Sequence, residues 1–90
     1  MATAAVKIKL MPSSPEANLE EIKQKALELV EQNGGKNCQI TEEPIAFGLK
    51  ALILFFGWPE EKELEQLESE LGKIENVNSC QIIDMRRAFG

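Results

Sequence analysis

Histidine is absent from this 90-residue sequence, and cysteine occurs only twice. Without histidine, neither an imidazole metal site nor a histidine acid–base dyad can form. The two cysteines, Cys38 and Cys80, lack the close spacing of a metal-binding motif. Such sparing use of cysteine is typical of a reducing compartment, so we expect free thiols and no metal.

Long apolar segments are also missing. The longest candidate, LKALILFFGW, is interrupted by Lys50 and falls short of the roughly 18–20 residues that a membrane-spanning helix needs. The opening MATAAVKIKLM lacks the charged start and apolar centre of a signal peptide. We therefore expect a cytoplasmic protein that does not contact a membrane.

Basic residues are outnumbered, since 10 Lys and Arg face 15 Asp and Glu and the net charge is −5. Phosphate binding needs clustered positive charge, so nucleic acid is not expected as a direct partner. The serines and thiols have no histidine base, and no glycine-rich phosphate loop with a following lysine is present. We expect no catalytic residues, no cofactor and no nucleotide bound by the chain itself.

Of the 90 residues, 43% are hydrophobic and 28% are charged, which is typical of a globular protein. At this length the chain forms one domain, residues 1–90. A domain of this size buries only roughly 60–65% of its unfolded surface, which leaves no room for a buried cofactor cavity.

Hydrophobic periodicity predicts the first half of the fold. Residues 4–11 alternate, with Val6, Ile8 and Leu10 on one face, which indicates a half-buried strand. Helical spacing begins after Asn18, a suitable N-cap, and Asn33-Gly34-Gly35 ends the helix. Residues 36–42 then predict a short strand that stops before Pro44.

The second half begins with the most apolar strand, residues 48–56, which is expected to end at Gly57. Pro59 suits the first turn of a helix, together with Glu60, Glu61 and Glu63. The apolar stripe of that helix comprises Leu64, Leu67, Leu71 and Ile74. A final strand is predicted over residues 79–87.

The order β-α-β-β-α-β predicts an α+β fold, a ferredoxin-like sandwich. Right-handed crossovers give a four-stranded antiparallel sheet in the order 4-1-3-2, with two helices on one face. Cys38 and Cys80 then lie on opposite edge strands, too far apart for a disulfide, whose Cα atoms must lie within about 7 Å.

Three features leave alternatives open. The face formed by Ala51, Ile53 and Phe55 would bind a partner, or lysine and glutamine stems would cover it. Phe47, in the turn EEPIAFGLK, would pack under the sheet as a plug if turn chemistry alone decided. The adjacent pair Arg86 and Arg87 would form a solubilising end of the last strand or contribute to a binding site. The two side chains would point to opposite faces of a continuing strand, so at most one of them joins any given site.

Family resemblance adds to these expectations. The segment EEPIAFGLKALILF, an acidic helix and the ending V-x-S-x-x-I-x-D-M-R-R are similar to the elongation factor 1-beta family, in its short archaeal form. The opening VKIKLMPSSPEANLEEIK matches that family as well. The resemblance implies a βαββαβ exchange domain that promotes replacement of GDP by GTP on elongation factor 1-alpha.

The resemblance also implies contact residues. Phe47, between Ala46 and Gly48, matches a family aromatic that packs on the GTPase. Arg87, next to Arg86, takes the place of a lysine that in eukaryotic members intrudes at the magnesium site of the GTPase. Arginine is bulkier and forked, so the charge is kept here while the geometry of the insertion differs.

A small-molecule-sensing or dimerisation module and an RNA-binding domain are the two alternatives to nucleotide exchange. A small-molecule-sensing or dimerisation module would pair through the open sheet face, whereas an exchange factor is expected to be monomeric when free. RNA binding on the sheet requires exposed aromatic residues on both central strands, and the first strand has none.

Overall fold

The computed structural model describes residues 3–88, with side chains through residue 86. Along the chain it contains, in order, β1 (Thr3–Pro12), α1 (Leu19–Gln32), β2 (Lys36–Pro44), β3 (Lys50–Pro59), α2 (Glu65–Gly72) and β4 (Val77–Ala88). The strands pair antiparallel in the order β2-β3-β1-β4, which is the predicted 4-1-3-2 counted from the other edge. The ferredoxin-like α+β fold is therefore confirmed.

The hydrophobic core lies between the sheet and the two helices. The alternating residues of the two central strands supply the sheet side, as predicted, because every second side chain of a strand points to the same face. The helices contribute apolar stripes at intervals of three and four residues. The buried members are Ala4, Val6, Ile8, Leu10, Leu52, Leu54, Phe56 and Trp58 from the sheet, and Ile22, Ala26, Val30, Leu67 and Leu71 from the helices.

Helix α1 begins as the sequence predicts. The Asn18 side chain accepts hydrogen bonds from the backbone N–H groups of Glu20 and Glu21, at 3.1 and 3.3 Å. At the other end Gly34 has φ 101°, a left-handed conformation that glycine adopts without steric cost. The helix is thus fixed at both ends by local chemistry.

Removing the N-cap should destabilise the domain without altering its fold. Asn18→Ala leaves two backbone donors of the first turn without their side-chain acceptor, at a cost of about 1 kcal/mol. For a domain of this size that corresponds to a melting temperature lowered by about 4–8 °C. Thermal unfolding followed by circular dichroism measures it, with Asn18→Asp as a capping control that should melt close to the wild type.

The predicted junction between the third strand and the second helix is wrong. Strand β3 continues through Gly57 to Pro59, whose Cα pairs with Thr3 of β1. Trp58 is buried, and its indole N–H donates to the carbonyl oxygen of Lys62 at 3.0 Å. Burial of the largest side chain in the core extends the strand, and a turn, not a helix, follows it.

Helix α2 accordingly begins at Glu65, and the glutamates at positions 60, 61 and 63 precede it. Strand β2 includes Pro44, which lies at its end, and β3 starts at Lys50 because residues 46–48 form a 3-10 turn. Strand β4 starts at Val77, directly after Asn76, which has φ 71°. The errors fall on element ends, where propensity is weak and tertiary pairing decides.

Candidate functional site

The tip of the β2–β3 hairpin presents an aromatic ring to solvent. Phe47 lies in the turn Ala46–Gly48, and 93% of its surface is exposed. The interpretation of Phe47 as a plug under the sheet is therefore wrong. Phe47 therefore makes no contribution to the hydrophobic core, and its ring is open to solvent.

The backbone holds Phe47 in an unfavourable conformation. Its φ and ψ are 63° and 31°, the left-handed region, and Gly48 follows with φ 76°. A non-glycine residue in this region costs roughly 1–2 kcal/mol, and such strain concentrates at binding sites. The turn is closed by the Ile45 N–H, which donates to the Leu49 carbonyl at 2.7 Å. Both strain and exposure thus coincide at one residue.

Two ion pairs meet at Glu42 of β2, one from helix α1 and one from β3 across the hairpin. Lys23 Nζ lies 2.6 Å from Glu42 Oε2, and Lys50 Nζ lies 3.8 Å from Glu42 Oε1. The hydrogen bond from Lys23 lowers the pKa of the Glu42 carboxyl, and the same bond raises the pKa of Lys23. The pairs are partly exposed to solvent and therefore contribute little to stability.

A second loop lies next to the tip. The segment between β1 and α1 approaches so closely that a Cβ atom on Gly48 would lie 4.0 Å from the Cβ of Pro15. Between the two loops is a groove of about 310 Å³, here called the tip groove. It is lined by Pro12, Ser14, Pro15, Leu19, Gly48 and Lys50.

The two arginines are in the last strand, as predicted. Arg86 pairs with Ala5, is 80% exposed, and its Nε lies 3.2 Å from the Asp84 carboxylate. The backbone of Arg87 pairs with Ala4. The side chain of Arg87 lies outside the described residues.

The arginine pair and Phe47 lie at opposite ends of the sheet. Ala4 is opposite Arg87 on one side and Trp58 on the other, whereas the hairpin starts at Lys50, eight positions away along β3. At about 3.4 Å per residue in an antiparallel strand, the two ends are about 27 Å apart. The long axis of the domain measures 41 Å. The candidate contact residues therefore form two separate sites.

The open face of the sheet mixes apolar and basic side chains. Phe55 is 43% exposed, and Lys7 Nζ lies 5.7 Å from the centre of its ring. Ile53 is half-buried, and Ala51 is buried. The Lys7 side chain lies over the ring of Phe55, which supports the interpretation that long lysine and glutamine side chains cover this face.

The two cysteines lie on opposite edge strands, as expected from the topology. Cys38 is in β2 and Cys80 in β4, both thiols are free, and both pack against the hydrophobic core. Partial burial raises the pKa of each thiol from 9.0 to about 11. Since the thiolate is the nucleophile, neither position is suited to covalent chemistry near neutral pH.

Native alkylation of these thiols should be slow. Raising the pKa of Cys38 and Cys80 to about 11 lowers the thiolate fraction at pH 8, and the higher nucleophilicity of the remaining thiolate offsets only part of this. We expect iodoacetamide to react about tenfold more slowly with the folded protein than with the same protein in denaturant. Equal rates would contradict the burial of both side chains.

Neither a metal centre nor a membrane-spanning helix is found in the part of the chain that the structure describes. No group of three or more Cys, Asp or Glu side chains within it is arranged to hold a metal ion. None of its helices has both the length and the apolar character needed to cross a membrane.

The family resemblance predicts Phe47 and the arginine pair as contact residues, whereas two features beside the hairpin were not predicted. The ion pair between Lys23 and Glu42 joins residues 19 positions apart, so no local sequence pattern predicts it. The tip groove joins the PSSP segment to the hairpin turn. Its only sequence signal was the rigidity of two prolines close together.

Comparison with known proteins identifies the family. The model of the EF-1 guanine nucleotide exchange domain matches residues 5–88. Proteins named elongation factor 1-beta are similar along almost their whole length. The one from Methanococcus maripaludis is 40% identical over 87 residues, covering 94% of this chain and 97% of the relative. The one from Methanocaldococcus jannaschii is 37% identical over 89 residues, covering 98% and 100%. This chain therefore belongs to the EF-1 guanine nucleotide exchange domain family.

Proposed function

We propose that this protein promotes the exchange of GDP for GTP on elongation factor 1-alpha, acting as a monomer in the cytoplasm. The observation that carries the proposal is Phe47: a strained, fully presented aromatic at a hairpin tip, in a chain of an exchange-domain family. A surface built in this way fits a protein partner better than a small molecule, because it is convex.

Exchange requires only a difference in affinity. If the protein binds the empty GTPase more tightly than the GDP-loaded form, GDP must bind the complex more weakly by the same factor. No covalent step is involved. The chain therefore needs binding residues and no catalytic residues, in agreement with its lack of histidine.

Phe47 supplies the binding anchor. Aromatic side chains that enter a partner pocket carry a large share of interface energy, and a rigid presentation lowers the entropy lost on binding. Gly48 and Ala46 beside it are small and exposed, so the backbone of the tip can approach the partner closely.

Arg87 supplies the destabilising charge. GTPases hold the nucleotide phosphates with backbone amides, a lysine and a bound Mg²⁺. A guanidinium brought to that site competes with Mg²⁺ and weakens GDP. This role rests on the family resemblance and on the place of Arg87 near the end of β4, with Arg86 as a neighbouring surface contact.

The separation of the two ends gives each a different task. Because they are about 27 Å apart, the GTPase has to extend along the sheet to meet both. Phe47 then fixes the orientation at one end, which places Arg87 at the other end over the magnesium site. Loss of either end should abolish exchange for a different reason.

Release of a fluorescent GDP analogue from purified elongation factor 1-alpha tests the proposal. The wild-type protein is expected to accelerate release in the presence of excess unlabelled GDP and to do so in proportion to its concentration until saturation. An unchanged release rate at saturating protein would contradict the proposed function.

A dimerisation module remains the alternative, and light scattering separates it from the exchange factor. A mass near that of one chain, 10.0 kDa, is expected. The mixed open face, with Lys7 over Phe55, agrees with that expectation. A stable dimer with no effect on GDP release would favour the alternative.

A further inference from the structure

The tip groove lies beside Phe47, between the hairpin turn and the β1–α1 loop. We propose that it is a second docking point, and that it receives an acidic side chain, a glutamate or aspartate, of the GTPase. The inference rests on the proposed function, which supplies the partner. It adds a recognition element that Phe47 alone does not provide.

The groove is rigid before any partner arrives. Pro12 and Pro15 fix two backbone φ angles in its wall. Their loop is tied by the Ser13 N–H, which donates to the Asn76 carbonyl at 2.8 Å, and by the Ala17 N–H, which donates to the Ser14 carbonyl at 3.2 Å. A preformed groove loses little entropy when it is filled.

The polar groups of the groove favour a carboxylate. The Lys50 ammonium is about half exposed and lies 3.8 Å from Glu42, whose other oxygen is bound by Lys23 at 2.6 Å. Glu42 is thus neutralised mainly by Lys23, and Lys50 is held only weakly. Ser14 also lines the groove. Its hydroxyl can rotate to supply a second donor, and an ammonium and a hydroxyl both bind a carboxylate.

The rest of the lining fits the stem of such a side chain. Leu19 and the two prolines provide apolar walls. Gly48 belongs both to this groove and to the turn that carries Phe47. A partner pocket that encloses the phenyl ring therefore brings its own rim onto the groove.

Filling the groove tests the inference. Ser14→Trp places an indole in the groove and should weaken stimulated GDP release about five- to tenfold at subsaturating protein. Ser13→Trp is the matched control, since Ser13 is the exposed neighbour in the same loop but does not line the groove. It should stay within about twofold of wild type. Equal losses in both variants would overturn the assignment.

A second variant removes the charge and keeps the stem. Lys50→Gln should reduce stimulated release about threefold at low salt and less at high salt, because screening already weakens the pair. Lys25→Gln, on an exposed face of α1, is the control for loss of one positive charge. A Lys50→Gln variant as active as wild type at all salt concentrations would contradict the carboxylate.

Carbodiimide cross-linking then identifies the occupant directly. This reagent joins an amine to a carboxylate only when the two are in contact, so a bond between Lys50 and an Asp or Glu of the GTPase is expected. Intermolecular cross-links at other lysines and none at Lys50 would overturn the inference. If wild-type protein fails to stimulate release, the proposed function falls. If wild type and Phe47→Ala behave as expected but Ser14→Trp and Lys50→Gln match wild type, only the groove is wrong.

Discussion

Phe47→Ala should reduce stimulated GDP release by about 30- to 1,000-fold, corresponding to about 2–4 kcal/mol of lost binding at an aromatic anchor. The side chain is 93% exposed, so its removal takes away no core contact and the fold should be unchanged. Circular dichroism and thermal unfolding provide that check. A fully active, normally folded Phe47→Ala protein would remove Phe47 from the contact site.

Phe47→Gly separates binding from stability at the same position. Alanine keeps the steric cost of φ 63°, whereas glycine does not, so the glycine variant should be about 1 kcal/mol more stable than the alanine variant. That difference corresponds to about 4–8 °C in melting temperature for a domain of this size.

Both substitutions should be inactive in exchange despite their different stabilities. A glycine variant that is inactive and melts above the alanine variant would show that the tip is optimised for contact at the expense of stability. If the alanine variant melts as high as the glycine variant, the left-handed backbone at Phe47 is not a source of strain.

Arg87→Ala should also lower stimulated GDP release strongly, by about 30-fold or more, because a charge that acts at a desolvated site costs about 2 kcal/mol or more when it is removed. Unlike the Phe47 variants, it should still bind the GTPase, since the anchor at the other end of the sheet remains. Calorimetric titration with the nucleotide-free GTPase measures that binding separately from the release rate.

Two comparisons make the Arg87 result specific. Arg87→Lys keeps the positive charge and should retain most of the activity, because the resemblance implies that a lysine serves at this position in eukaryotic members. Arg86→Ala removes the neighbour, which is already paired with Asp84, and should have the smaller effect. If Arg87→Ala releases GDP as fast as wild type while Mg²⁺ is present, the competition with Mg²⁺ is excluded.

The fold could be predicted from the sequence wherever one local pattern decided it. Alternation in β1, the Asn18 cap and the glycine exit of α1 are local, so their positions were predicted to within a residue or two. The turn between β3 and α2 was not predicted, because Pro59 and the glutamates that follow it are as suitable for a helix start as for a turn. Burial of Trp58 between the sheet and the helices keeps residues 57–59 in the strand, and this burial is a tertiary interaction.

In the candidate site, too, some features follow from local sequence and others only from tertiary structure. The sequence by itself determined the order of the elements, through the hydrophobic periodicity. It also placed an aromatic residue at the hairpin turn, through the turn-forming residues around Phe47. Whether that ring points into water was decided only by the tertiary structure, because the left-handed backbone at Phe47 depends on how the turn closes. The ion pair between Lys23 and Glu42 and the tip groove also come from packing alone. They join segments far apart in the chain, and no local pattern encodes a long-range contact.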